Sequence, residues 1–130
     1  MDRIDIQLLC RPVATSALIR GQKAEPSEAI AKRVLKAREI QRERFAGTGI
    51  FTNSEMDSRL LERFCPLDAA CKELLEQIIN RLGLSARAYT RIIKIARSIA
   101  DLEGSTQIQP AHLAEASSYR FLDRRNILDL

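Results

Sequence analysis

The segment GLSARAYTRIIKIARSIADLEG, from Gly83 to Gly104, reads as one capped helix whose two sides differ in chemistry. At about 100° per residue, Tyr89, Ile92, Ile93, Ile95, Ala96, Ile99 and Ala100 fall on one broad apolar arc, while Arg87, Arg91 and Lys94 point away from it. Ser85 is the natural N-cap after the permissive Gly83, and Gly104 is the natural stop, because glycine takes up the left-handed conformation that ends a helix. Arg87 then sits in the first turn, where the helix dipole is positive. A cation there is mildly unfavourable by itself, so an anion is expected nearby.

The stretch before this helix predicts more helices. Pro26 and Ser27 suit a first turn and a cap, and Gly47 with Gly49 supplies the stop. Between them Ile30, Val34, Ala37, Gln41 and Phe45 recur every three or four residues, with Leu35 and Ile40 alongside, which predicts a packing seam. The same helix carries six cations, Lys32, Arg33, Lys36, Arg38, Arg42 and Arg44, against the three carboxylates of Glu28, Glu39 and Glu43. Such a face is either solvated or touches phosphate. Thr52, Asn53 and Ser54 cap a short helix with Met56, Leu60, Leu61 and Phe64 facing inward, and Pro66 ends it. Leu67 and Asp68 start another helix, in which Cys71, Leu74, Leu75, Ile78, Ile79 and Leu82 form a strong amphipathic stripe. Its link to the Ser85 helix is so short that the two are expected to be neighbours, crossing or antiparallel. Pro110 opens a last helix that holds Leu113, Ala116 and Tyr119.

At 130 residues the chain suits one core. Aliphatic residues are plentiful, aromatics are only 5% and Trp is absent, a balance that favours helices packed through Leu, Ile and Ala over a β-sandwich. The expected fold is all-α, a four- to five-helix bundle. A net charge of +4 permits a phosphate partner without requiring one. Cys10, Cys65 and Cys71 are odd in number and, with the single His112, match no zinc spacing; buried reduced thiols are expected, and no metal site. His112 beside Ala111 and Leu113 suits packing better than catalysis. No run approaches the roughly 20 apolar residues of a membrane span, and no signal peptide opens the chain, so the cytoplasm is the expected compartment.

Asp2 to Leu9 alternates polar and apolar residues like a half-buried strand, yet no second convincing strand accompanies it. A lone strand is not stable, so this one is expected to be left over from a larger sheet. The expected division is residues 1–25 as the end of such a core plus a disordered linker, 26–123 as the helical domain and 124–130 as a frayed tail. None of Gly21, Gly47, Gly49, Gly83 and Gly104 begins a GxxxxGK[ST] phosphate loop, so the chain alone is not expected to hydrolyse a nucleotide.

RLGLSARAYTRIIKIARSIADLEG followed by IQPAHLAEASSYRFLDR resembles the C-terminal domain of the magnesium-chelatase-like ATPases, the bacterial ComM group of AAA+ proteins. DRID, KAREIQRERF, TNSEM and CPLDAACKELL agree in the same order, and residues 11–24 are the least characteristic. The resemblance implies an ATP-binding α/β core upstream, which would hold ATP and Mg²⁺ in a ring of subunits, with this chain as the helical lid. In similar lids the Arg of an S-x-R at a helix start is the second sensor, which reaches the terminal phosphate. Here that pattern falls on Ser85-Ala86-Arg87. Arg3 in DRID resembles an arginine-finger position that acts on a neighbour's ATP.

Two classes of function follow. In the first, the resemblance implies a hexameric ring that acts on DNA during its uptake, in which Arg87 senses ATP and the helices transmit motion. In the second, the chain is a freestanding helical nucleic-acid-binding module that uses Lys32, Arg33, Lys36, Arg91 and Lys94. The scarcity of stacking aromatics and the lack of a clear helix-turn-helix pattern weigh against sequence-specific binding.

Overall fold

A computed structural model describes Ile6 and residues 25–119 of the chain. Among the described residues there are five α-helices and one 3-10 turn, and no strand. In chain order these are α1 (Ser27–Arg44), the 3-10 turn (Asn53–Glu55), α2 (Ser58–Phe64), α3 (Ala69–Leu82), α4 (Ala86–Glu103) and α5 (Pro110–Ser118). The expected strand at residues 2–9, the linker, Cys10, Arg3 and the tail lie outside the described residues, apart from Ile6.

Local chemistry sets most of the boundaries. The first N–H groups of a helix have no partner within it, so an oxygen just ahead of the helix fixes the start. Asp57 accepts the Leu60 N–H at 2.9 Å to open α2, Asp68 accepts the Cys71 N–H at 2.8 Å to open α3, and Ser85 Oγ accepts the Ala88 N–H at 3.2 Å to open α4. The bond from the Cys71 N–H holds the Asp68 carboxyl below its usual range. α1 corrects an expectation: Ser27 is its first helical residue, and Pro26 stands at the cap position without a side-chain bond. Gly83 and Gly104 end α3 and α4 at φ +61° and +79°, a region that other residues reach only with strain.

Phe45, Met56, Leu60, Leu75, Ile92 and Leu113 bury their side chains in one core. Burying each large apolar side chain contributes on the order of 2 kcal/mol. Phe45 and Phe64 meet edge to face with ring centroids 5.4 Å apart. α4 lies at the centre, packing against α5, α1 and the 3-10 turn. α3 packs against α5, and α3 and α4, joined through Gly83, both send side chains into the one core. α5 contributes its buried Leu113 and Ala116 to the same core.

The predicted α1 seam is used only in part. Ala37 and Phe45 are buried, but Ile30 and Val34 remain 42% and 39% exposed and Leu35 faces solvent. The apolar period continues through the first turns of α1, whereas no described helix covers them.

Candidate functional site

The α3 to α4 corner presents the Ser85-Ala86-Arg87 motif. Ser85 is extended, its hydroxyl is occupied by the Ala88 N–H, and the first i to i−4 bond of α4 runs from the Tyr89 N–H to the Ser85 carbonyl at 3.1 Å. The N–H groups of Ala86 and Arg87 therefore precede the helical ladder and point out of the positive end of the dipole. The first turn of α4 contains no acidic residue. Arg87 is exposed, and among the described residues none pairs with its guanidinium. An exposed fork of donors beside a helix N-terminus can bind a phosphate oxygen from outside the domain.

The other cations predicted to contact nucleic acid divide into two groups. Arg33, Arg91 and Lys94 come together on the walls of a groove between α1, α4 and α5. Lys32 and Lys36 lie elsewhere on α1, exposed. Several are already engaged: Arg33 pairs with Glu25 at 2.7 Å, Lys32 stands 4.0 Å from Glu28, and Lys94 Nζ donates to the Ser54 carbonyl at 3.1 Å. Arg91 and Lys94 are half-buried flanks of the groove, which corrects their expected place on the side of α4 away from its apolar arc. The groove floor is built from that arc, so their aliphatic stems lie against it.

A buried polar cluster at the far end of α4 carries no function in the sequence reading. Asp101, with its side chain fully enclosed, accepts from both prongs of Arg44 at 2.8 and 2.6 Å, from Arg97 Nε at 3.2 Å and from Asn53 Nδ2 at 2.9 Å. Arg97 also donates to the carbonyls of Thr106 and Ser105 at 3.1 and 2.8 Å, which fixes the loop after α4. Burial lowers the basicity of Arg97 and the Asp101 carboxylate opposes that effect. Arg97 and Asp101 sit four residues apart within the arc marked by Ile93 and Ala100, and that spacing is the signal that could have revealed them.

His112 is a structural residue. Its Nδ1 accepts the Gln109 N–H at 2.8 Å, which places the ring proton on Nε2, where it faces Glu103 Oε2. The Cys65 and Cys71 thiols are buried and pushed up to about 11 by desolvation, so thiolate chemistry is disfavoured at both. Among the described residues no group of three or more His, Cys, Asp or Glu could hold a metal ion, and no helix is long and apolar enough to cross a membrane.

The described residues form a helical domain with a capped arginine corner. Residues 24–120 match the family model for the C-terminal domain of the magnesium chelatase subunit ChlI, and the chain belongs to that family. It is 42% identical over 125 residues to the competence protein ComM of Haemophilus influenzae, covering 95% of this chain and 24% of that protein. It is 36% identical to the uncharacterized protein YifB of Salmonella typhimurium, again over 95% of this chain and 24% of the relative. The uncharacterized protein Rv2897c of Mycobacterium tuberculosis is 32% identical over 92% of this chain and 24% of its own length. The chain thus spans about a quarter of the length of these curated relatives.

Proposed function

We propose that the chain is the helical lid of a magnesium-chelatase-like AAA+ ATPase, in which Arg87 senses the terminal phosphate of ATP. The observation that carries this reading is Arg87 itself: exposed, unpaired among the described residues, and set in the acid-free first turn of a capped helix. The rest of the nucleotide site, with its phosphate loop and Mg²⁺, belongs to the ATPase core, which this chain approaches from one side only. ATP supplies the phosphate that Arg87 binds. Arg87 donates charge-assisted hydrogen bonds to that phosphate, and the Ser85 cap keeps the arginine's backbone at a fixed place. When the γ-phosphate leaves, that contact is lost and the lid is free to rotate against the core. Since α4 is the central helix of the domain, movement at its N-terminus carries α1 and α5 with it.

The name of the Haemophilus relative connects that protein to competence, which supports placing the parent ring on DNA during uptake. The reading as a freestanding nucleic-acid module is weaker, because Arg33, Lys32 and Lys94 already have protein partners. Replacing Arg87 by Ala in the full-length ring is expected to lower ATP turnover by roughly 10- to 100-fold, the value of one charge-assisted hydrogen bond set. Unchanged turnover would remove Arg87 from the mechanism. Titrating this chain with duplex DNA at rising salt separates the two classes, since tight binding that persists near physiological salt would favour the module.

A further inference from the structure

Phe51 is the most exposed large apolar side chain among the described residues, at 74%, yet its backbone is pinned on both sides. Its own N–H and that of Thr52 both donate to Glu55 Oε1, at 3.3 and 3.2 Å. On the other side the Ile50 N–H donates to Thr48 Oγ1 at 3.4 Å, and the Thr48 hydroxyl donates to the Phe45 carbonyl at 2.6 Å. Ile50 packs against the core, and Phe45 and Asn53, which bracket the loop, are buried. The phenyl ring is thus held in water as a fixed knob, ordered before any partner arrives.

A matching socket lies on the same chain. Between α2, the α2 to α3 connection and the first half of α4 there is a cleft of about 500 Å³. Pockets that enclose small molecules run from roughly 300 to 1,000 Å³ and are mostly apolar. Leu61, Pro66, Leu67 and Ile93 line this one together with Tyr89, which is still 42% exposed. Glu62 and Lys72 are the charged residues among the described lining and have opposite signs, so an uncharged guest meets no net charge there. Phe51 is not among the lining residues and does not fill the cleft of its own chain.

We propose that Phe51 of one copy of this chain seats in the cleft of a second copy, against Tyr89. The ring there meets an aromatic edge and aliphatic walls, and its exposed surface leaves water. A nucleic-acid backbone would instead bring phosphates to a cleft without net positive charge. Knob and cleft are different patches, so the joint is heterologous and repeats from copy to copy, which can close a ring. The cleft also touches the turn that carries Arg87: Thr90, another lining residue, donates its hydroxyl to the Arg87 carbonyl at 3.0 Å. A neighbour seated there bears on the phosphate-sensing end of α4. That coupling rests on the lid reading, whereas the seating of Phe51 does not.

The chain contains no Trp, so Phe51→Trp places a single fluorescent reporter on the knob. Its emission is expected to move to the blue as the 130-residue chain is raised from micromolar to millimolar concentration. Sedimentation equilibrium of the unaltered chain is expected to show association over the same range. Phe51→Ser is expected to stay monomeric with unchanged helical content by circular dichroism. Ser58→Arg, at an exposed lining residue of the cleft, is expected to stay monomeric as well. Mixing these two variants is expected to restore a complex of two chains, because one supplies an intact knob and the other an open cleft. Association that survives Phe51→Ser would overturn the proposal, since another face would then hold the copies together. So would a chain that stays monomeric at millimolar concentration, or Trp emission that ignores concentration. Failure of the Arg87→Ala test would remove the lid reading and leave the Phe51 joint standing.

Discussion

Arg44, the last residue of α1, and Asp101, two residues before the end of α4, are 57 positions apart in sequence and meet in a two-pronged ion pair at 2.8 and 2.6 Å. The aspartate is wholly enclosed and the arginine side chain is 12% exposed, so the pair is screened from water. Removing one partner of such a pair leaves the other charge buried without compensation. Asp101→Ala strands both Arg44 and Arg97 and is expected to cost about 3–5 kcal/mol. Asp101→Asn, which keeps two acceptor lone pairs, is expected to cost less. Urea unfolding of the two variants checks the order, and equal losses would show that the charge, which both variants lack, is what matters and that the retained acceptor is not.

Ser85 and Arg87 are neighbours with separable duties. Ser85→Ala removes the oxygen that accepts the Ala88 N–H and is expected to lower stability by about 1 kcal/mol. Arg87→Ala, at an exposed position, is expected to stay within about 0.5 kcal/mol of the parent. Thermal melts of both variants would expose a structural role for Arg87 if it melted as early as Ser85→Ala.

Gly83 offers a clean measurement of backbone strain. A methyl group added there would meet nothing within 4 Å, yet the residue sits at φ +61°. Gly83→Ala is therefore expected to destabilise by about 1 kcal/mol through conformation alone. A variant as stable as the parent would mean that the α3 terminus rearranges without loss.

The thiols give the chain an alkaline limit. In the unfolded chain a cysteine ionises near 9.0, whereas Cys65 and Cys71 in the fold hold their protons up to about 11. Below pH 9 both states are protonated and stability is unaffected; between 9 and 11 only the unfolded state sheds the proton, so stability falls as pH rises. The two shifts together imply a loss on the order of a few kcal/mol by pH 11. Cys65→Ala, followed from pH 7 to 11, is expected to flatten that decline while costing stability at neutral pH.

Where information was local, the sequence was a good guide. Asp68, Gly83, Ser85 and Gly104 act on their own backbone or that of the next turn, so the ends of α3 and α4 could be read from residue type and spacing. The α1 seam was harder, because a 3.6-residue period says that a face is apolar and not what covers it; Ile30 and Val34 border a groove, while Phe45 enters the core. The groove itself needs three helices at once, so the meeting of Arg33, Arg91 and Lys94 was invisible in any one of them. Arg87 was identified by motif and lies exposed on its helix, but the phosphate it would bind comes from outside the chain.

The joint between Arg44 and Asp101 also bears on how the domain assembles in time. Helices linked by short loops find many of their contacts early, because little chain entropy is lost in closing them. An enclosed ion pair 57 residues apart in sequence demands that α1 and α4 already be docked and dry. It is expected to form after the rate-limiting barrier, so that loosening it quickens unfolding and leaves the folding rate nearly unchanged. Stopped-flow kinetics of Asp101→Asn would show that asymmetry, and the pair would then govern how long the domain stays folded rather than how fast it gets there.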